Sequence, residues 1–175
     1  IQSVLYESIL KVFKKKQDSK YDKGKSDEIN VESIRGAKIL LVEDNEINQQ
    51  VARENLENEG FWVDIADNGV IAIEKINNKN YDLVLMDLQM PILDGYETTK
   101  RIRKDERFAD LPIIALSADA MEGTNKKVIQ VGMNDYISKP IDRKKLFEVM
   151  TKWIKPEDRT PYIMLSEGLF GDETS

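Results

Sequence analysis

The stretch AKILLVEDNEINQQVARENLENEGFWVDIA, from Ala37 to Ala66, contains the strand and helix patterns that decide the fold. Residues 37–42 are an apolar run that is too short for a buried helix and is typical of a strand. Residues 45–59 carry apolar side chains at helical spacing, namely Ile47, Val51, Ala52 and Leu56. Gly60 follows where such a helix ends, and residues 61–66 alternate in hydropathy and are rich in strand-forming residues. We therefore predict a strand, a helix and a second strand.

Strands and helices alternate in the same way along the rest of the chain, as far as residue 154. Further strands are predicted over residues 81–86, 111–116 and 135–137. Further helices are predicted over residues 70–76, 96–107, 121–131 and 141–154. Strict alternation of five strands with five helices implies right-handed crossovers and a parallel sheet covered by helices on both faces. This arrangement is a doubly wound α/β fold.

The composition of the 175 residues limits the chemistry and the partners of the chain. Hydrophobic residues make up 41% and charged residues 33%, as in ordinary globular proteins. The net charge of −6 argues against a surface that binds nucleic acid. No apolar run approaches the ~20 residues that cross a bilayer. The chain has neither Cys nor His, which leaves carboxylates, hydroxyls, Lys and a hard cation as the available reactive groups.

Polar side chains follow four of the predicted strands, at the ends where a doubly wound sheet binds its ligands. They are Glu43 and Asp44, Asp87, Ser117, which Ala118 follows, and Lys139, which Pro140 follows. Three clustered carboxylates repel one another, and Mg²⁺, which prefers oxygen ligands, removes that conflict. One carboxylate can then attack phosphorus and form an aspartyl phosphate, while Lys139 and the Ser117 hydroxyl neutralise the phosphoryl oxygens. Ala118 is small and leaves room for the incoming group.

Four stretches resemble the receiver domain of two-component response regulators, and the resemblance as a whole covers roughly residues 36–155, in order and without gaps. They are LLVEDNEINQQVA (40–52), LVLMDLQMPILDG (83–95), LSA (116–118) and GMNDYISKPI (132–141). The first two are most similar to receivers attached to hybrid sensor histidine kinases. The resemblance implies a flavodoxin-like sheet with the strand order 2-1-3-4-5.

The resemblance implies a role for each matching residue on the metal side of the site. Asp87 matches the phospho-accepting aspartate. Glu43 and Asp44 match the acidic pair that binds Mg²⁺, for which Mn²⁺ is an alternative. Asp44 is expected to coordinate the cation directly and Glu43 to act partly through water. Gln89 matches the position whose main-chain carbonyl reaches the metal.

Other positions match the part of the family's site that binds the phosphoryl group and switches. Ser117 matches the switch hydroxyl, and Lys139 matches the lysine that pairs with the phosphoryl group. The peptide bond from Lys139 to Pro140 is expected to be cis. Tyr136 matches the aromatic residue whose rotamer follows phosphorylation. The face made by the fourth helix, fifth strand and fifth helix is then expected to change and to be read by a partner.

The resemblance predicts a phospho-accepting module of a phosphorelay. Its donor is expected to be a phosphohistidine on a kinase or phosphotransfer domain, in the same parent chain or in trans. The chain carries no kinase core, so enzyme activity beyond its own phosphorylation and dephosphorylation is not expected. The parent is expected to be a hybrid histidine kinase, with this part cytoplasmic whether or not the parent is membrane-anchored. Neither nucleic acid nor membrane is an expected partner.

Two alternatives remain open for the function. The first is a degenerate receiver that acts only as a docking module, against which the complete set of site residues counts. The second is a Mg²⁺-dependent phosphohydrolase that also forms an aspartyl phosphate. Such enzymes usually carry a second Asp two positions after the nucleophile, and Gln89 stands there in this chain.

The chain divides into three predicted parts. Residues 1–35 are an N-terminal helix and linker, residues 36–155 are the receiver-like domain, and residues 156–175 are a C-terminal tail. Residues 1–13 are amphipathic and either pack on the domain or are the last helix of a preceding receiver-like module. A homodimer through this helix, or through the face described above, is a further open alternative.

Overall fold

The sheet has the predicted topology. The computed structural model describes residues 29–119 and 122–163. Five parallel strands lie in the order β2-β1-β3-β4-β5. They are β1 (Lys38–Val42), β2 (Trp62–Ala66), β3 (Leu83–Asp87), β4 (Ile113–Ser117) and β5 (Asp135–Ser138). The helices are α1 (Glu46–Asn58), α2 (Gly69–Asn78), α3 (Gly95–Arg103), α4 (Glu122–Gln130) and α5 (Arg143–Trp153). The predicted doubly wound α/β fold is therefore confirmed.

The central strands are apolar except at their ends because helices cover both of their faces. In β1, Ile39 and Leu41 join a buried cluster with side chains of α1 and α5. Leu40 and Val42 point the other way, into a cluster with side chains of α2, α3 and α4. Burial of each such side chain stabilises the fold by about 1.5–3 kcal/mol. This two-sided burial explains why short apolar runs predicted the strands without an alternating pattern.

Only two of the four apolar residues whose spacing predicted α1 are buried. Ala52 and Leu56 are buried, but Ile47 is 73% exposed and Val51 is 56% exposed. Gln49 takes a buried position instead, since positions 49, 52 and 56 share one stripe of the helix. Ile47 and Val51, four residues apart, form the neighbouring stripe and face solvent.

The helix predicted over residues 96–107 is shorter than expected. α3 ends at Arg103, and a 3₁₀ turn over Glu106–Phe108 follows it. The carboxylate of Asp105 accepts a hydrogen bond from the main-chain N–H of Arg107 and caps this separate turn. The cap competes with continuation of the helix, which accounts for the early end.

The segments that precede and follow the predicted domain in sequence both pack against the domain. A 3₁₀ turn over Val31–Ile34 buries the Ile34 side chain in the core. The tail reaches the edge strand, where the Trp62 indole N–H donates to the Thr160 carbonyl at 2.9 Å and the Tyr162 ring packs edge-on against Trp62. The predicted helix over residues 1–13, and any dimer contact through it, lie outside the described residues.

None of the helices in the described ranges combines the length and the apolar character needed to cross a membrane.

Candidate functional site

Strand register brings the predicted site residues to one edge of the sheet. Val42 of β1 pairs with Met86 of β3, so the residues that follow, Glu43 and Asp87, are neighbours. Asp87 pairs with Leu116 of β4, which places Ser117 one step further along. Ser117 in turn pairs with Ser138 of β5, and its carbonyl accepts a hydrogen bond from the Lys139 main-chain N–H at 2.7 Å. The carboxyl ends of the four strands thus form one row.

Three carboxylates converge in this row. Glu43, Asp44 and Asp87 each offer an oxygen atom, and these oxygens lie within 4.8 Å of one another. Glu43 and Asp87 are buried, whereas Asp44 is exposed to solvent. Three carboxylates at such distances suit a hard divalent cation, which would keep water molecules as its remaining ligands. The residues present therefore fit Mg²⁺.

Lys139 bridges two of the carboxylates. Its ammonium lies 2.9 Å from Glu43 Oε2 and 3.2 Å from Asp87 Oδ2. Burial alone would lower the pKa of Lys139, but the hydrogen bond to Glu43 and the charges of Asp87 and Glu43 outweigh it and raise the pKa. The lysine is therefore a fixed positive charge beside Asp87 at neutral pH.

Asp87 lies in an environment that opposes its ionisation. Burial, followed by repulsion from Glu43, raises the pKa of its carboxyl above the ordinary 3.8. A hydrogen bond from the Gln89 main-chain N–H to Asp87 Oδ1, at 3.2 Å, and the charge of Lys139 partly offset this rise. One lysine does not fully compensate three acids, so an additional cation would stabilise the ionised site.

Glu43 is held by residues that the sequence did not reveal as part of the site. Its Oε1 accepts from the Asn45 main-chain N–H at 3.3 Å and from Asn48 Nδ2 at 3.4 Å. Its carbonyl oxygen accepts from Gln49 Nε2. The available signal was position alone, because these residues occupy the start of a helix that begins immediately after the acidic pair.

The remaining predicted residues lie around the acids. Ser117 is buried at the end of β4, where its Oγ donates to the Asp119 carbonyl at 2.7 Å and accepts from the Asp119 N–H at 3.0 Å. Ala118 follows it and is exposed. The Lys139–Pro140 peptide bond is cis. Tyr136 is half-buried and packs against the cluster beneath α2, α3 and α4.

Gly95 closes the loop that follows Asp87 and carries Gln89. Its N–H donates to the Leu88 carbonyl at 3.2 Å, which brings the start of α3 against the end of β3. A Cβ atom at this position would collide with the Asp87 carbonyl oxygen. The glycine therefore permits a close approach between its own backbone and that of Asp87.

The fold and the site together define a class of protein: flavodoxin-like α/β domains with a lysine-bridged acidic site at the carboxyl edge of the sheet. Residues 39–151 match the response regulator receiver domain family. The chain belongs to this family, as its resemblance to two-component receivers predicted.

Relatives and solved structures agree with this assignment. The sensor histidine kinase GacS of Pseudomonas protegens is 40% identical over 124 residues, which cover 69% of this chain. The match spans only 14% of that kinase. Hybrid histidine kinases of Dictyostelium discoideum also match.

Two solved receiver domains bear on the chemistry. The first, from a sensor histidine kinase of Pseudomonas aeruginosa with a magnesium ion in its active-site cleft, is 42% identical with a TM-score of 0.63. The match covers 67% of this chain and 97% of that one. The second is the receiver domain of a Saccharomyces cerevisiae response regulator, solved in complex with a histidine phosphotransfer protein. It is 31% identical with a TM-score of 0.64, covering 68% of this chain and 89% of that one.

Proposed function

We propose that this receiver domain accepts a phosphoryl group from a phosphohistidine onto Asp87, in a step that requires Mg²⁺. The observation that carries the proposal is the ammonium of Lys139 between Asp87 and Glu43, beside the exposed carboxylate of Asp44. Two solved relatives support the same chemistry, one with a magnesium ion in its active-site cleft and one in complex with a histidine phosphotransfer protein. The phosphorelay donor is a kinase or phosphotransfer domain, in the parent chain or in trans.

The transfer is a balanced exchange of one bond for another. A carboxylate oxygen of Asp87 forms a bond to phosphorus as the bond from phosphorus to the donor's imidazole nitrogen breaks, and the electron pair stays on that nitrogen. Lys139, already 3.2 Å from Asp87, pairs with the charge on the transferred group. Glu43, Asp44, Asp87 and the Gln89 carbonyl would hold Mg²⁺ or, alternatively, Mn²⁺. The bound cation supplies positive charge to the phosphoryl oxygens.

Phosphorylation would change the face formed by α4, β5 and α5. A phosphoryl group adds about −1.5 to −2 charges and three strong acceptor oxygens. The Ser117 hydroxyl can exchange its bond to Asp119 for one of these oxygens. That exchange would open space for the half-buried Tyr136 and let a partner, or a second copy of the chain, read the state of the domain.

Exposed apolar side chains near the site suit a protein donor. Ile47 and Val51 of α1 are exposed, as is Ile92 in the loop that leads from Asp87 to α3. Exposed apolar side chains beside a reactive group are typical of a surface that binds another protein. The donor's histidine would approach Asp87 from the side of these residues.

The parent of this domain is proposed to be a hybrid sensor histidine kinase, with the domain on the cytoplasmic side. The chain matches a small part of a full-length sensor kinase, which agrees with a receiver module in a longer protein. Residues 36–155 remain the proposed extent of that module.

The acceptor role is tested by intact mass after incubation with acetyl phosphate and Mg²⁺. We expect the mass of one phosphate to be gained by the wild type and by Asp110→Asn, an exposed control, but not by Asp87→Asn. Rapid hydrolysis of many phosphate esters would favour the phosphohydrolase. No gain by the wild type would favour a docking module.

The donor surface is tested with a histidine phosphotransfer protein. Ile47→Asp is expected to slow transfer from that protein while leaving labelling by acetyl phosphate unchanged. The matched control is Ile129→Asp. Ile129 is also exposed, but it lies on α4, the helix that precedes the edge strand β5. Equal slowing by both variants would contradict a role for α1 in docking the donor.

A further inference from the structure

A buried glutamine connects the acidic pair to the neighbouring loop of the sheet. Gln49 of α1 is buried, and its Nε2 donates to the Glu43 carbonyl and to Asp67 Oδ1, the latter at 2.8 Å. Asp67 directly follows β2, so the contact joins the ends of β1 and β2. Both partners can only accept hydrogen bonds, and the amide nitrogen has two hydrogens to donate. The geometry therefore uses the full donor capacity of this side chain.

The consequence for the site passes through the main chain. The Glu43 carbonyl belongs to the peptide unit that leads into Asp44, so its orientation fixes where the Asp44 side chain begins. The Glu43 carboxylate is held by three donors of its own. The Asp44 carboxylate is exposed and receives no hydrogen bond within the described ranges 29–119 and 122–163. Its position therefore depends on the backbone that Gln49 holds.

We propose that Gln49 is a positioning residue for the cation site, which sets the Asp44 carboxylate for Mg²⁺ by holding the Glu43 peptide against Asp67. The inference rests on the proposed function, because it concerns the same Mg²⁺ site. Gln49 then affects the dissociation constant for Mg²⁺ as well as the stability of the fold. Loss of such an outer partner of a metal ligand weakens metal binding by about 10- to 100-fold.

The variant Gln49→Glu separates positioning from electrostatics. It keeps the size of the side chain but places an acceptor against two acceptors, so the contact is lost. By charge alone, an added carboxylate near the site would strengthen Mg²⁺ binding, whereas loss of positioning weakens it. Gln50→Glu is the matched control, since it adds the same charge one residue along α1 on the exposed side.

The experiment is a Mg²⁺ titration of each purified chain, followed by amide NMR shifts, with thermal unfolding in EDTA measured in parallel. We expect the dissociation constant for Mg²⁺ to rise about tenfold in Gln49→Glu and to stay near the wild-type value in Gln50→Glu. A lower unfolding temperature with an unchanged or tighter dissociation constant would show a purely structural role and overturn the inference.

A second variant covers the case in which Gln49→Glu fails to fold. Gln49→Met keeps the length of the side chain, adds no charge and removes both donors, so it is expected to weaken Mg²⁺ binding in the same direction. Unchanged affinity in this variant would overturn the inference alone. Absence of Mg²⁺ binding by the wild type would instead overturn the proposed function and the inference with it.

Discussion

Replacement of Lys139 by methionine tests the electrostatic balance of the site. The variant Lys139→Met keeps an unbranched side chain of similar length and removes the positive charge between Glu43 and Asp87. In the absence of a divalent cation, two buried carboxylates then face each other without a counter-ion. We expect the free energy of unfolding at pH 7 to fall.

The size of the loss follows from the distances. At an effective dielectric constant of about 20, separations of 2.9 and 3.2 Å correspond to attractions of about 6 and 5 kcal/mol. The cost of removing the ammonium from water cancels much of this sum. Loss of one partner from a buried ion pair costs about 3–5 kcal/mol. The Lys139 side chain is 23% exposed, so water screens part of the interaction and we expect about 3 kcal/mol.

The assay is urea unfolding followed by circular dichroism, in EDTA, for the wild type, Lys139→Met and the exposed control Lys144→Met. The destabilisation should shrink as the pH falls below the raised pKa of Asp87 toward the ordinary 3.8, because protonation removes the uncompensated charge. Added Mg²⁺ should restore much of the lost stability. If Lys139→Met is destabilised by no more than the control, or equally at all pH values, the reasoning about this ion pair is refuted.

Three further substitutions, one of them with a matched control, test the glycines and the serine. Gly95→Ala places a Cβ against the Asp87 carbonyl, so labelling by acetyl phosphate should slow about tenfold or more and stability should fall. Unchanged labelling would show that the close approach of the Gly95 and Asp87 backbones does not position Asp87. Gly36→Ala combines a φ of +83° with contact to the tail at Arg159 and Thr160, and should cost about 2 kcal/mol in urea unfolding. Gly123→Ala, in open space on α4, should cost nothing and serves as its control. Ser117→Ala loses two hydrogen bonds to Asp119 and should cost about 1 kcal/mol while slowing phosphorylation; an unchanged phosphorylation rate would argue against the switch role.

The sheet was predictable because its physical signals are local. Runs such as residues 39–42 are wholly apolar, since both faces of the strand are covered, and glycines mark where helices end. The convergence of the acids and Lys139 follows from the rule that parallel strands present their carboxyl ends at one edge. The individual roles of Asp87 and Gln89 came from family resemblance, because composition and spacing alone do not distinguish one carboxylate from another.

The parts that escaped prediction depend on contacts between distant segments. Helical spacing around Ile47 and Val51 could not show which of two adjacent stripes would be buried, and Gln49 is buried because its amide meets Glu43 and Asp67. The docking of the tail against Trp62 likewise depends on where the edge strand lies in the folded chain. Such polar contacts between side chain and main chain leave no periodic signal in the sequence.

Locating the phosphate in the chain shows whether Asp87 is the phosphoryl acceptor of a cation-dependent site. The chain is incubated with a phosphorylated histidine phosphotransfer protein and Mg²⁺, reduced with borohydride, which converts an aspartyl phosphate to homoserine, and then sequenced by mass spectrometry. We predict homoserine at position 87 alone, formed only when the divalent cation is present. Modification of another residue would show that Asp87 is not the acceptor, and equal modification of Asp87 in EDTA would show that the transfer needs no divalent cation.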